Sequence, residues 1–111
     1  MIKRKELEVV ELLNFLARIS FYNEYITQKK IGEFNRFKDF VKIKDYKFIR
    51  SQRNKSNLKR KDNDILLLKI TRGLFAYMVL VIEIRELQDK EINLLRSFLE
   101  YIENGILFCR P

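Results

Sequence analysis

Apolar positions recur at helical spacing over the first quarter of the chain. Val9, Leu12, Leu13, Leu16, Ile19, Tyr22 and Ile26 follow the three-to-four-residue step of one helix face, which predicts a helix from about Lys5 to Ile26. Val10, Phe15, Phe21 and Tyr25 widen that stripe, which suggests either burial against more than one neighbour or a second contact surface, and makes them a candidate protein interface. Lys29, Lys30 and Gly32 read as a break, followed by a shorter helix with Phe34, Phe37 and Val41 on one face. From Val41 to Ile49 apolar and basic residues alternate. That is strand spacing, with Lys44-Asp45 as the turn of a small hairpin; a helix is the alternative.

Arg50 to Lys61 has Leu58 as its one apolar residue and reads as an exposed loop. Asp62 or Asp64 then caps the next element. Ile65 to Leu87 is the most apolar segment, with Lys69, Arg72, Glu83 and Glu86 near one side. The pattern predicts a central helix buried on most of its circumference. Its rival is a buried strand over Tyr77 to Ile84, where Val79, Val81, Ile82 and Ile84 are β-branched. A last helix carries Ile92, Leu95, Phe98, Leu99 and Ile102. It starts at Asp89, or at Gln88 with Leu87 stapled onto Ile92, and stops at Asn104-Gly105. Ile106, Leu107 and Phe108 form a short apolar tail. The whole reads as mainly α: one domain spanning 1–111, a small bundle of about four helices with a basic loop at 50–61.

Composition supports a real core: of 111 residues, 47% are hydrophobic, with nine Phe and five Tyr, too much apolar mass for a disordered chain. Three Gly and one Pro are few breakers, which favours long helices over many short strands. Cys109 is the only cysteine, so no intramolecular disulfide forms and a reducing, cytoplasmic setting is expected. No segment reads as a signal peptide, because Glu6, Glu8 and Glu11 interrupt the apolar residues after Lys3, Arg4 and Lys5. The uncharged run from Gly73 to Ile82 is about half of what a membrane-spanning helix needs.

The net charge of +8 is concentrated. Residues 1–34 hold six basic and five acidic side chains, and residues 62–111 hold six and eight. Between them, residues 35–61 hold eleven basic and two acidic ones, a surplus of nine. Such a concentration makes a local potential that attracts polyanions.

Catalytic chemistry is poorly supplied. There is no His, so the usual general base and every Ser-His or Cys-His pair are missing. One Cys without His excludes a zinc site of those ligands. The glycines are isolated, so there is no phosphate-cradling loop. Asp62-Asn63-Asp64 and Asp89-Lys90-Glu91 sit where helix starts want acids. The expectation is a protein with no catalytic residues, no cofactor, no metal, no small-molecule substrate and no membrane partner.

Nucleic acid fits the surplus. Phosphate oxygens take charge-assisted hydrogen bonds from Lys and Arg, and each neutralised phosphate releases counterions. The candidate contacts are Lys42, Lys44, Lys47, Arg50, Arg53, Lys55, Lys59, Arg60 and Lys61, with Ser51, Gln52, Asn54, Ser56 and Asn57 as neutral donors between them. Tyr46 is a candidate for stacking on an unpaired base; packing in the core is the ordinary alternative. No pattern for a recognition helix stands out, so the grip is expected to be on RNA or single-stranded DNA backbone with little sequence preference.

The wide helix Val9 to Ile26, the basic loop Arg50 to Lys61 and the paired helices Ile65 to Leu87 and Ile92 to Ile102 together resemble the small all-helical subunits of multi-subunit CRISPR effector complexes. That resemblance implies several copies stacked along a guide–target filament, contacts with other protein subunits, and a role in holding target or displaced strand in antiviral defence. A ribosomal or other ribonucleoprotein component, or a helical scaffold subunit of a replication complex, has the same size and charge.

Overall fold

A computed structural model describes residues 4–19, 21–51, 55–72 and 75–108, the last seven of these in backbone only. Arg53 and Cys109 lie outside the described residues, as do the side chains of the apolar tail. The elements run α1 (Arg4–Ile19), α2 (Glu24–Arg36), β1 (Val41–Arg50), β2 (Asn57–Asp62), β3 (Ile65–Thr71), β4 (Ala76–Ile84) and α3 (Asp89–Phe108). The expected helical bundle is therefore wrong. The chain is an α/β fold, with three helices on one face of a four-stranded antiparallel sheet of order β1-β4-β3-β2. β2 and β3 are joined by a turn at Asn63-Asp64, β4 pairs antiparallel with β3, and β1 lies beside β4, a Greek-key order.

The single long helix expected at the N-terminus is two. Asn23 stands at the N-cap of α2 in extended conformation (φ −71°, ψ 169°), and its Oδ1 accepts the Ile26 amide at 2.8 Å. Thr27 Oγ1 donates to the Asn23 carbonyl at 2.8 Å. These local bonds outcompete continuation of α1. The break expected at Lys29–Gly32 does not occur, since α2 runs through it.

Ile65 to Leu87 is the largest correction. It forms β3 and β4, a hairpin in the middle of the sheet, and not a central helix. Asn63 and Asp64 form the turn into it, not a helix cap. Leu66, Leu68, Ile70, Met78, Leu80, Ile82 and Ile84 alternate onto the helix-covered face, where they are fully buried. α1 contributes Val9, Leu12, Leu16 and Ile19 to the same core, and α3 adds Ile92, Leu95 and Leu99. Val41 to Arg50 is one continuous strand, with no hairpin. Its bulge at Lys44 makes Lys44 and Asp45 together oppose Val81. One extra residue shifts the alternation, so Ile43 and Tyr46 both pack inward although three positions apart. The basic loop of residues 50–61 ends in β2, which is an edge strand: its one buried side chain is Leu58.

Two side chains tie the helices to β1. Glu8, 3% exposed, accepts the backbone amides of Asp39, Phe40 and Val41 on Oε1, at 3.0, 2.8 and 3.2 Å. Arg4 Nε stands 3.5 Å from Glu8 Oε2. Asn35 donates to the Ile43 carbonyl at 2.7 Å and accepts the Ile43 amide at 2.9 Å. It thereby occupies part of the outer edge of β1, which would otherwise offer unpaired groups to another strand. α3 starts as the alternative reading of its cap supposed. Glu91 Oε2 accepts the Gln88 amide at 3.0 Å, and Leu87 and Ile92 on either side are buried. Of the features that carried the CRISPR resemblance, the Val9–Ile26 helix is split, the basic loop ends in an edge strand and Ile65–Leu87 is a hairpin, while Ile92–Ile102 lies in the helix α3.

Candidate nucleic-acid interface

The three helices cover one face of the sheet and leave the other open. An antiparallel sheet with one wet face normally alternates apolar-in and polar-out. β3 and β4 do not. Their outward residues include Ile65 and Leu67 on β3, and Tyr77, Val79 and Val81 on β4, all half-buried. The register puts Leu67 beside Val81, Lys69 beside Val79 and Thr71 beside Tyr77. This makes a floor of aliphatic side chains down the middle of the open face.

Lysines line both sides of it. On β1, Lys42 pairs across to Glu83 and Lys47 to Val79, so both share the face of the floor, and the bulge adds Lys44. On β2, Lys59 lies opposite Leu67, and the shift between Arg60 and Asp62 adds Lys61. Lys69 rises from the floor itself, with its Nζ 4.3 Å from the centroid of the Tyr77 ring. Asn57, Lys59, Leu67, Lys69, Tyr77 and Val79 line a shallow depression of about 280 Å³. Among the described residues, no carboxylate is paired with Lys42, Lys47, Lys59, Lys61 or Lys69.

Lys44 is different. Its Nζ stands 3.2 Å from Glu83 Oε2, and Arg85 Nε stands 3.1 Å from Glu83 Oε1. The hydrogen bond from Lys44 is the main reason the Glu83 carboxyl ionises below its ordinary range. The Arg85 hydrogen bond and both cationic charges act the same way, against the cost of desolvation. A depressed carboxyl stabilises the fold above its unfolded pKa and loses that contribution as pH falls through the folded value. Thus acidification from pH 5 to 3 should weaken the wild type more than Glu83→Gln, read by thermal melts. At neutral pH the same substitution frees Lys44 and Arg85, and should tighten polyanion binding about three- to fivefold.

The cations expected from the sequence divide. Lys42, Lys44, Lys47, Lys59 and Lys61 are brought together on the open face. Lys55 is exposed on the stretch that joins the two edges. Arg50 and Arg60 fall on the helix side: Arg50 is 3.7 Å from Glu24, and Arg60 is 3.2 Å from Asp89 while donating to the Asn63 carbonyl at 2.6 Å. Tyr46 faces inward, packed against the core with its ring 5.9 Å from Phe48. Lys69 and Tyr77 were missed, because β3 and β4 are apolar on both faces and no polar–apolar alternation marks the outward positions; the β3–β4 register finds them.

The four residues expected at a protein interface do not share one surface. Val10 borders a groove with Leu94 between α1 and α3. Phe15 is half-buried, 5.1 Å from Phe34. Phe21 and Tyr25 are exposed around the α1–α2 junction, at 75% and 67%. Among the described residues, no three His, Cys, Asp or Glu could hold a metal ion, and no helix is long and apolar enough to cross a membrane. Compared with known proteins, the chain matches no family model, no curated protein and no solved structure.

Proposed function

We propose that this protein is a non-catalytic nucleic-acid-binding component of a larger assembly. It holds the phosphate backbone on the open face of its sheet and does not read base sequence. One observation carries the reading: five lysines without carboxylate partners among the described residues stand on a single open face, two on β1, two on β2 and one between them. Unpaired cations held on rigid strands keep their charge for an outside ligand, whereas Arg50 and Arg60 are already committed to Glu24 and Asp89. A flat sheet has no helix to insert into a groove, so sequence readout through base edges has no obvious instrument here.

The test is a titration of labelled nucleic acid of mixed sequence over about 50 to 200 mM salt. If each of the five lysines neutralises one phosphate of a single strand, the slope of log K on log salt is about −3.5. A variant with Lys47, Lys59 and Lys69 changed to Ala should retain a slope of about −1.4. A second variant with Arg50, Lys55 and Arg60 changed to Ala should shift it by less than one unit. The reverse order would move the site to the chain around residues 50–60. Absence of binding by the wild type at the lowest salt would end the reading altogether.

A further inference from the structure

The lysines explain attraction to phosphate but not the floor between them. Ile65, Leu67, Val79, Val81 and Tyr77 occupy outward positions of central strands, where water would ordinarily select polar side chains. β1 and β2 are three strand spacings apart, so the lysine rows flank the floor at about 14 Å. A ligand that merely bridges the rows leaves the floor wet. A ligand that covers it needs flat apolar faces attached to a phosphate chain.

We propose that the open face takes single-stranded nucleic acid, with unpaired bases lying on the aliphatic floor and stacking on Tyr77, and that Lys69 is the side chain displaced to admit them. This rests on the reading of the face as a phosphate grip. Duplex satisfies the lysines but hides its base faces inside its own stack, so it gains nothing from the floor. A second copy of this chain is disfavoured as the occupant by charge, because each face carries a surplus of three positive charges, six lysines against Asp45, Asp62 and Glu83. A lipid surface is disfavoured by relief: the aliphatic side chains are half-buried between strands while Lys44, Lys47, Lys59 and Lys61 are exposed around them, so nothing apolar protrudes to insert into a bilayer.

Lys69 gives the arrangement a direction. Its ammonium sits 4.3 Å over the Tyr77 ring. A cation on an exposed ring is worth roughly two- to fivefold in an equilibrium. A base on the same ring is worth roughly five- to a hundredfold. A strand that brings a phosphate within reach of Lys69 and a base onto Tyr77 therefore replaces a weak contact by two stronger ones. Phe75, 69% exposed and two residues before Tyr77, stands at the same end of the face.

The chain has no Trp, so Tyr77→Trp supplies a single reporter at the site. It would be titrated with oligo-dT, oligo-rU, a duplex of equal length and an abasic oligonucleotide of equal charge. Bases on the floor predict strong quenching by the two single strands and little by the duplex or the abasic chain. Tyr77→Ala should weaken oligo-dT about tenfold and leave the abasic chain within twofold, in a variant whose melting temperature is checked. Tyr77→Phe should bind as the wild type does. Equal affinity for all four ligands without quenching would overturn base contact while leaving the phosphate grip standing. No binding to any of them would remove both.

Discussion

Glu8→Ala is expected to cost about 3 kcal/mol of folding stability. One carboxylate oxygen receives three successive backbone amides at the entrance to β1. Hydrogen bonds to a charged acceptor contribute about 1.5–3 kcal/mol each in favourable cases, and orphaned donors away from water cost about 1–3 kcal/mol. The three share one oxygen and partial rehydration is open to the exposed Asp39, so the sum is not additive. For a chain of 111 residues a loss of this size lowers the melting temperature by about 10–15 °C. Glu8→Gln keeps an acceptor oxygen but loses the charge facing Arg4, and about half the effect is expected. Chemical denaturation should move the midpoint at constant slope. A cost below about 1 kcal/mol for Glu8→Ala would mean that water or Asp39 takes over the amides.

This joint was hidden in the sequence. Glu8 looked like one of several acids alternating with apolar residues at the N-terminus, yet its partners are more than thirty residues away. Local patterns were legible in part: the breaks expected at Lys29–Gly32, Lys44-Asp45 and Asn104-Gly105 do not occur, while the apolar stripes hold. The apolar stripes of α1 and α3, the cap of α3 and the alternation of Val41–Ile49 are short-range patterns, and the elements follow them.

The hairpin β3–β4 was not legible for a physical reason. A strand is recognised by one polar and one apolar face. β4 is apolar on its covered face, through Met78, Leu80, Ile82 and Ile84. It is also apolar on most of its open face, through Tyr77, Val79 and Val81. With both faces apolar, strand and buried helix look alike. β2 failed in the opposite sense: as an edge strand it needs one inward residue, Leu58, and the rest reads as loop. Of the site, Lys42, Lys44, Lys47, Lys59 and Lys61 were legible from the charge surplus of residues 35–61 alone, whereas the bulge at Lys44, which has the spacing of a turn, was not. Lys69 and Tyr77 belong to the segment whose pattern predicts a helix, so their sharing a face with Lys47 and Lys59 follows only from the register.

That register makes the strongest functional prediction. Six lysines stand against Asp45, Asp62 and Glu83 on the open face, a surplus of three positive charges. Lys47→Glu with Lys59→Glu reverses one charge on each side of the floor and turns the surplus into a deficit of one. Both side chains are exposed and neither is ion-paired among the described residues, so the fold should keep its stability to within about 1 kcal/mol. Binding should fall by at least about a hundredfold at 50 mM salt, because two phosphate contacts become two repulsions in a field that no longer attracts. Reversing Arg50 and Arg60 changes the net charge of the whole protein by the same amount but acts on the helix side, at Glu24 and Asp89. If polyanion binding depended only on total charge, the two double variants would be equally impaired. If the open face is the site, the Lys47/Lys59 variant should be the weaker by at least about tenfold in the same titration.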